Sequence, residues 1–423
     1  MKRIVSIILL LMLVTYNISY AAPMNLSGEV AILIDEDTGQ VLFEKNSRKA
    51  AYPASTTKIM TGILAIELGN MEDDVIIDDE VVQLTDGSHI ALEPGEKLKF
   101  RDLVYALMIQ SANDAALAIA KHISGDIDEF AKLMNQKAIE IGALDTNFVN
   151  PNGLPHDEHI TTAYDLALIS KYAMQNPKFR EIVANYNYEI PKTNAKDEDR
   201  YLSSNNRLLY SNRLIDVDGE RIPIKYEGAT GIKTGYTKAA QNCLVASATR
   251  DGRNLIAVVL KADGREVFAD IHRLLNHGFN DFHRIQVATK GDIGGDIEVL
   301  GGTSPTVAGI IEEDLSVYVS NDSNPQDLEE TISIERSIEA PIRKGQTLGK
   351  VEYYMGDELI AESNIIATLD IDKKITAKIE DKLPKKRYAF ALLIVLLVLA
   401  RIYTIRLRRR RRRRSVYKMN LFR

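Results

Sequence analysis

Twelve residues from Ala389 to Ala400 carry no charge, and a run of seven arginines, Arg408 to Arg414, follows shortly after. No other feature limits this chain as tightly. In hydrocarbon every backbone N–H and C=O must be paired within the segment itself, so Tyr388 to Ile405 is expected to be a transmembrane helix. Arg401 interrupts it, and its long side chain can carry the charge to the interface. Positive residues stay on the cytoplasmic side, so residues 406–423 are expected there and everything upstream outside. A helix lying on the membrane surface fits less well, because residues 389–400 offer no polar face.

The other end has the texture of an export signal. Met1-Lys2-Arg3 is positive, Ile4 to Val14 is apolar, and Ser19-Tyr20-Ala21 supplies small residues for cleavage, which predicts a signal peptide over 1–21. Its apolar core of about 11 residues is shorter than the roughly 20 needed for a span. Charge then separates the body from the tail. Eleven of the 53 Lys and Arg residues fall in 401–423, with no acid among them. With these and Lys2 and Arg3 set aside, 40 basic residues face 59 acidic ones, a net charge of −19. So acidic a body argues against a nucleic-acid partner, and the arginine block reads as a topology signal able also to meet anionic lipid.

Between these ends the 423-residue chain can hold two ordinary domains. Gly28 to Ile34 and Gln40 to Glu44 flank Asp35–Gly39 as a hairpin. Helices are expected from near Ser55 to about Gly69, over Asp102–Ile109, Asp114–His122, Ile127–Ile141, Ala163–Met174 and Pro177–Ala184. Asn150 to Pro155 is dense turn chemistry, too polar for a core element. A polar stretch runs on to about Glu227. Cys243–Thr249 and Leu255–Lys261 are apolar strands joined at Asp251-Gly252, and Val267–Phe282 is helical. From about Ile285 short β-prone runs alternate with Gly, Asn and Asp turns, which predicts a separate all-β domain over 284–383 after a first domain over 22–283.

Cysteine and histidine exclude some chemistries. Cys243 is the only cysteine, so neither an internal disulfide nor a cysteine metal cluster is available, and its apolar strand marks it as a packed thiol. The seven histidines show no zinc-ligand spacing, and the closest pair, His156 and His159, is read as satisfying local hydrogen bonds. No metal or other cofactor is expected.

Ser55 and Lys58 project from one face of their helix. A serine hydroxyl is a weak nucleophile, and an amine one turn away can take its proton if burial or a cationic neighbour lowers the amine's pKa. Free backbone N–H groups at the helix start can stabilise an oxyanion. The spacing alone is common, since Ser415 and Lys418 repeat it in the tail. Two further motifs follow in order. Ser111-Ala112-Asn113 sits in a break between apolar helices, and Lys233-Thr234-Gly235 stands at the start of a strand.

The trio Ser55-x-x-Lys58, Ser111-x-Asn113 and Lys233-Thr234-Gly235 resembles the penicillin-binding protein and serine β-lactamase superfamily. Within it the chain resembles the low-molecular-mass D-alanyl-D-alanine carboxypeptidases over about residues 25–380, Asn150-Pro151-Asn152-Gly153-Leu154 and Tyr236-Thr237 included. The resemblance implies an α+β fold: a β-lactamase/transpeptidase-like domain, an antiparallel sheet flanked by helices, then the small all-β domain and the C-terminal transmembrane helix. It implies acyl transfer at a peptidoglycan stem peptide ending in D-Ala-D-Ala, with β-lactams as covalent inhibitors. Ser55 would be the nucleophile, Lys58 the base and Ser111 a proton relay; Asn113, Lys233, Thr234, Gly235 and Tyr236 would bind substrate. Backbone N–H groups of Ser55 and Tyr236 would form the oxyanion hole. Gln241 departs from the pattern, standing where the family often has glycine. A peptidoglycan endopeptidase, a β-lactamase and a β-lactam sensor are the alternatives; no motif marks the extra glutamate a β-lactamase would use.

Overall fold

The computed structural model describes residues 24–324, 327–374 and 384–419. The expected signal peptide, 1–21, and the expected domain end at Leu383 lie outside the described residues. The chain forms two compact units, one reaching to Arg284 and including Tyr318–Ser323, the other comprising Ile285–Val317 and the chain from Asn324 onward.

The spine of the first unit is a five-stranded antiparallel sheet. Strands β1 (Val30–Asp35) and β2 (Val41–Lys45) are the early hairpin; β3 (Ala229–Thr237), β4 (Gln241–Arg250) and β5 (Arg253–Ala262) come late in the chain. Their order is β2-β1-β5-β4-β3, so β1 pairs with β5, Val30 opposite Leu260. Side chains alternate between two cores. Val30, Ile32, Ile34, Ile256, Val258 and Leu260 join one; Ala31, Leu33, Leu255, Ala257 and Val259 join the other. With both faces covered, these strands read as unbroken apolar runs, although the sheet is antiparallel.

The first core is completed by helices α1 (Lys58–Leu68), α2 (Phe100–Tyr105), α3 (Asn113–Ser124), α4 (Ile127–Ile141), α5 (Ala163–Met174) and α6 (Pro177–Ala184), the second by α7 (Glu266–Asn280). Ends are sharp where the sequence supplies caps. Asp126 accepts from the Asp128 and Glu129 N–H groups, Thr162 Oγ1 from Asp165 N–H and Asn176 Oδ1 from Lys178 N–H. Those three helices keep their expected bounds. Two other starts are modified in ways that matter below. Ser55 lies in a 3₁₀ turn, Ala54–Thr57, and the α-helix proper begins at Lys58. The expected helix 102–109 is α2 followed by a π-helical turn, Ala106–Gln110, which stops at Ser111 in the left-handed region, φ +62°.

The polar stretch to Glu227 contains two short hairpins, Asn187–Ile190 with Arg200–Ser203 and Leu214–Val217 with Glu220–Pro223. Four-residue strands with exposed faces carry too few apolar residues to declare themselves. Gln241 adopts φ +54°, so the hairpin turn between β3 and β4 closes at the left-handed conformation that glycine would take without strain.

Up to its C-terminal helix, the second unit is built of β-strands among the described residues. A six-stranded sheet runs Leu328–Ile334, Thr347–Met355, Glu358–Ala367, Thr306–Ile311, Ile293–Leu300, Ser337–Glu339, antiparallel except for the last pair. Two small clusters fill it, around Ile297, Val307 and Ile342 and around Val351, Tyr353 and Ile365. Beyond it a helix spans Pro384–Met419, and its 21-residue stretch Phe390–Arg410 has a mean hydropathy of 2.2. At 1.5 Å per residue that length is about 30 Å, enough to cross a bilayer core.

Candidate active site

The 3₁₀ turn carries Ser55 onto the floor of an open cleft of 640 Å³ in the first unit. Ser88, Ser111, Thr234, Gly235 and Tyr236 line the same cleft. The close approach of edge strand β3 to the turn depends on Gly235, where an added Cβ would lie 3.0 Å from both Pro53 O and Ser55 N. The turn is pinned from beneath as well. At Gly153, φ +84°, an added Cβ would lie 1.9 Å from the carbonyl oxygen of Ala54.

Lys58, one helical turn on, is fully buried. Its Nζ lies 3.1 Å from Ser55 Oγ, and donates to Asn113 Oδ1 at 2.6 Å and to the Asn152 carbonyl at 2.6 Å. Burial drives its pKa well below the usual amine value; the charge of Lys233 pushes the same way, and Asp114 opposes. Lys233 is itself buried, and burial lowers its pKa to about 7. Its Nζ donates to the Thr234 carbonyl at 3.0 Å. Burial lowers both amines, and at Lys58 the charge of Lys233 adds to it, which favours the neutral form of Lys58.

Ser111 lines the cleft, held there by its left-handed backbone after the π-helical turn. Asn113 does not line it. Its Oδ1 accepts from Lys58, its Nδ2 donates to the Asp86 carbonyl, and its backbone N–H donates to the Ser88 carbonyl. Asp114, next in the chain, is buried and accepts from the Ile90, Leu92 and Ala115 N–H groups, so the start of α3 holds the Asp86–Leu92 loop beside the cleft. Burial raises the Asp114 pKa.

Two contributors were not legible as site residues. The Asn150–Pro155 turn, expected at the surface because it is polar, is buried through Pro151, Asn152 and Gly153. Its polar groups are satisfied locally: Asn150 bonds Gly153 N–H and the Leu154 carbonyl, and Asn152 Oδ1 accepts from Leu154 N–H. Its carbonyls at Pro151 and Asn152 accept from Thr61 and Lys58. His159 is also buried, 2.8 Å from Thr57 Oγ1 through Nε2, while its Nδ1 accepts from Val149 N–H. That pattern fixes the neutral tautomer with the proton on Nε2, and burial first, then His156 and Lys58, lowers the pKa to about 4. The ring braces the turn that carries Ser55 rather than titrating near neutrality. Cys243 is a buried thiol raised by burial to about 11, as a packed cysteine should be. Among the described residues no group of three or more His, Cys, Asp or Glu is placed to hold a metal.

The arrangement thus brings two hydroxyls, Ser55 and Ser111, and two buried amines, Lys58 and Lys233, to one cleft. Comparison with known proteins agrees in kind. A family profile described as D-alanyl-D-alanine carboxypeptidase matches residues 17–264, and one described as penicillin-binding protein 5, C-terminal domain, matches 282–373. D-alanyl-D-alanine carboxypeptidase DacF of Bacillus subtilis is 34% identical over 391 residues, covering 88% of this chain and 95% of its own. DacA of Haemophilus influenzae is 28% identical over 363 residues, covering 82% and 86%. The crystal structure of penicillin binding protein 5 from Haemophilus influenzae superposes with a TM-score of 0.69 at 25% identity, covering 83% of this chain and 99% of that one.

Proposed function

This chain belongs to the D-alanyl-D-alanine carboxypeptidase family, and from that membership we propose how its own residues divide the work. It is a serine carboxypeptidase of peptidoglycan stem peptides with the penicillin-binding fold. Ser55 Oγ attacks the carbonyl between the two terminal D-alanines while neutral Lys58 takes the hydroxyl proton. The oxyanion meets backbone N–H groups of Ser55 and Tyr236. As the C–N bond breaks, a proton passes through Ser111 to the leaving nitrogen, D-alanine departs, and the acyl group remains as an ester on Ser55. Water then attacks the ester and restores the serine. Lys233 and Thr234 receive the terminal carboxylate, Gly235 gives the close approach, and Asn113 orients Lys58 from below. The carrying observation is the 3.1 Å contact between a buried amine of depressed pKa and a hydroxyl in an open cleft.

β-Lactams take the same path but leave no departing fragment, so the adduct persists. The apolar helix suits a membrane anchor; in this reading it spans the bilayer among the lipids, with the arginines cytoplasmic and the catalytic unit on the outer side.

The test is D-alanine release from a peptide ending in D-Ala-D-Ala, together with the lifetime of the penicillin adduct by intact mass. We expect stoichiometric D-alanine and an adduct that decays slowly. Adduct formation without D-alanine would count against the carboxypeptidase reading and for a sensor or endopeptidase. Rapid loss of the adduct would mark a β-lactamase.

The bracing of the turn gives a second expected result. Gly153→Ala must move the Ala54 carbonyl and Ser55 with it, so acylation by penicillin should fall at least about 100-fold, the scale for a misplaced reacting group. Gly142→Ala also sits at positive φ, +91°, but meets nothing within 4 Å. It should cost only about 1–2 kcal/mol of stability and leave the acylation rate unchanged. Rapid-quench labelling and urea unfolding of both variants separate the two effects.

A further inference from the structure

Ser111 is held by more than its own helix. It sits at φ +62°, a conformation that any Cβ disfavours and that lasts only where the surroundings fix it. Its backbone N–H bonds the Ala106 carbonyl, and so does that of Ala112 at 3.1 Å. The carbonyls after Ala106 are the open end of the π-helical turn, and the last two find their partner far along the chain. Asn205 donates from its backbone to the Ile109 carbonyl at 3.3 Å and from Nδ2 to the Gln110 carbonyl at 3.1 Å. Beside it, Ser203 N–H donates to Gln110 Oε1 at 3.2 Å. This segment is anchored from behind in turn. Ser204 N–H donates to the Tyr186 carbonyl at 2.8 Å, and the Tyr210 hydroxyl donates to the Ser204 carbonyl at 2.9 Å. Ser204 and Asn206 are buried, whereas Asn205 is exposed and lines the cleft with Ser111. Among the described residues nothing bonds the Ser111 hydroxyl, so the backbone alone sets its direction.

We propose that Asn205 is a positioning residue for Ser111: it caps the turn that aims the relay hydroxyl at the leaving nitrogen. The proposal rests on the carboxypeptidase reading and adds to it a residue outside the three motifs. A relay matters in proportion to the leaving group's need for a proton. An amide nitrogen must gain one as its C–N bond breaks, whereas a thiolate leaves without one. Damage that reaches the reaction only through Ser111 must therefore fall on the amide.

Two substrates with one acyl part test it: an acetylated peptide ending in D-Ala-D-Ala, and its analogue with sulfur in place of the last residue's nitrogen. Ser55 forms the same ester from both. The serine proton passes to nitrogen in the first and stays with Lys58 in the second. Release of D-alanine and of thiol is measured as kcat/KM, which reports acylation, with the full chain in detergent. Ser111→Ala should lower the peptide value by about 10²-fold or more and the thioester value far less. Asn205→Ala should show the same selectivity on a smaller scale, about ten-fold on the peptide and within about three-fold on the thioester. Asn205→Asp, equal in size but with an oxygen facing the Gln110 carbonyl, should be no faster on the peptide. Adding Asn205→Ala to Ser111→Ala should slow the peptide no further, since a missing hydroxyl needs no aiming. Thioester turnover also shows that each variant is folded. Equal losses on both substrates in both Asn205 variants, a peptide value at the parent level in both, or additive losses in the double variant overturn the positioning role and leave the carboxypeptidase reading intact. Equal losses on both substrates in Ser111→Ala overturn the relay and the positioning role together. A parent protein that frees thiol but no D-alanine overturns the carboxypeptidase reading as well.

Discussion

Ser55→Ala should form no covalent adduct with penicillin and release no detectable D-alanine, while unfolding at nearly the parent temperature. The serine is half-buried at the cleft floor, and Lys58 is the side chain that bonds its hydroxyl. Losing that oxygen removes one of the three hydrogen-bonding partners around Lys58; Asn113 and the Asn152 carbonyl keep the amine in place. The lesion is therefore chemical: no ester can form at an alanine. Removal of a serine nucleophile elsewhere has cost on the order of 10⁶ in kcat, below detection for an enzyme of ordinary turnover. Non-covalent binding of the antibiotic should survive, since the groups proposed to receive its carboxylate are untouched. Intact mass, D-alanine release and a melting curve on the same preparation decide the matter. A labelled Ser55→Ala variant would place the nucleophile on another residue.

Much of the scaffold around that serine was legible because local rules and tertiary packing agree there. Helices 127–141, 163–174 and 177–184 each have a side chain to open them, and each turns an apolar stripe to the core. The apolar strands β4 and β5 announced themselves by burial on both faces. Two kinds of element were hidden. Short hairpins at 187–203 and 214–223 rest on backbone pairing with little apolar content. Strands Ile293–Leu300 and Thr306–Ile311 contain glycines where neighbours press close: a Cβ at Gly294 or Gly309 would run into Ile365. Glycine lowers strand propensity locally for a reason that exists only across the sheet.

The site divides the same way. Ser55, Lys58 and Ser111 could be singled out as reactive residue types at meaningful spacings. What the spacings could not carry is the support beneath them. The turn at Asn150–Pro155 has every mark of a surface loop, and it becomes buried because its own asparagines satisfy its backbone and its carbonyls meet Thr61 and Lys58. His159 looked like a loop histidine and is a buried brace. Asn113 is expected to bind substrate, and its amide meets Lys58 and the Asp86 carbonyl, contacts that the motif spacing does not show. In each case the deciding partner is distant in sequence.

Lys58→Met should lower the acylation rate by about 10²–10⁴, the range for losing a positioned general base, and should also change how stability depends on pH. The wild-type rate is expected to be bell-shaped. It rises with pH as Lys58 gives up its proton, and it falls through about 7 in the free enzyme as Lys233 loses the charge that receives the carboxylate. The stability argument follows from the same depression. Burial favours the neutral form of Lys58 in the folded protein, and the proposed mechanism needs that form at neutral pH, but in the unfolded chain an amine holds its proton up to about 10.4. The unfolded state binds more protons over that window, so wild-type stability increases with pH from neutrality toward 10. Methionine has similar length and nothing to titrate. Its variant should therefore show a slope smaller by about 1.4 kcal/mol per pH unit, one proton's worth. Denaturant midpoints from pH 7 to 9.5 measure this without any assay of activity. Equal slopes would mean that Lys58 is protonated when folded, and a protonated amine cannot accept the proton of Ser55. The slower chemistry and the flatter pH profile must then appear together, because both come from burying one amine beside another cation.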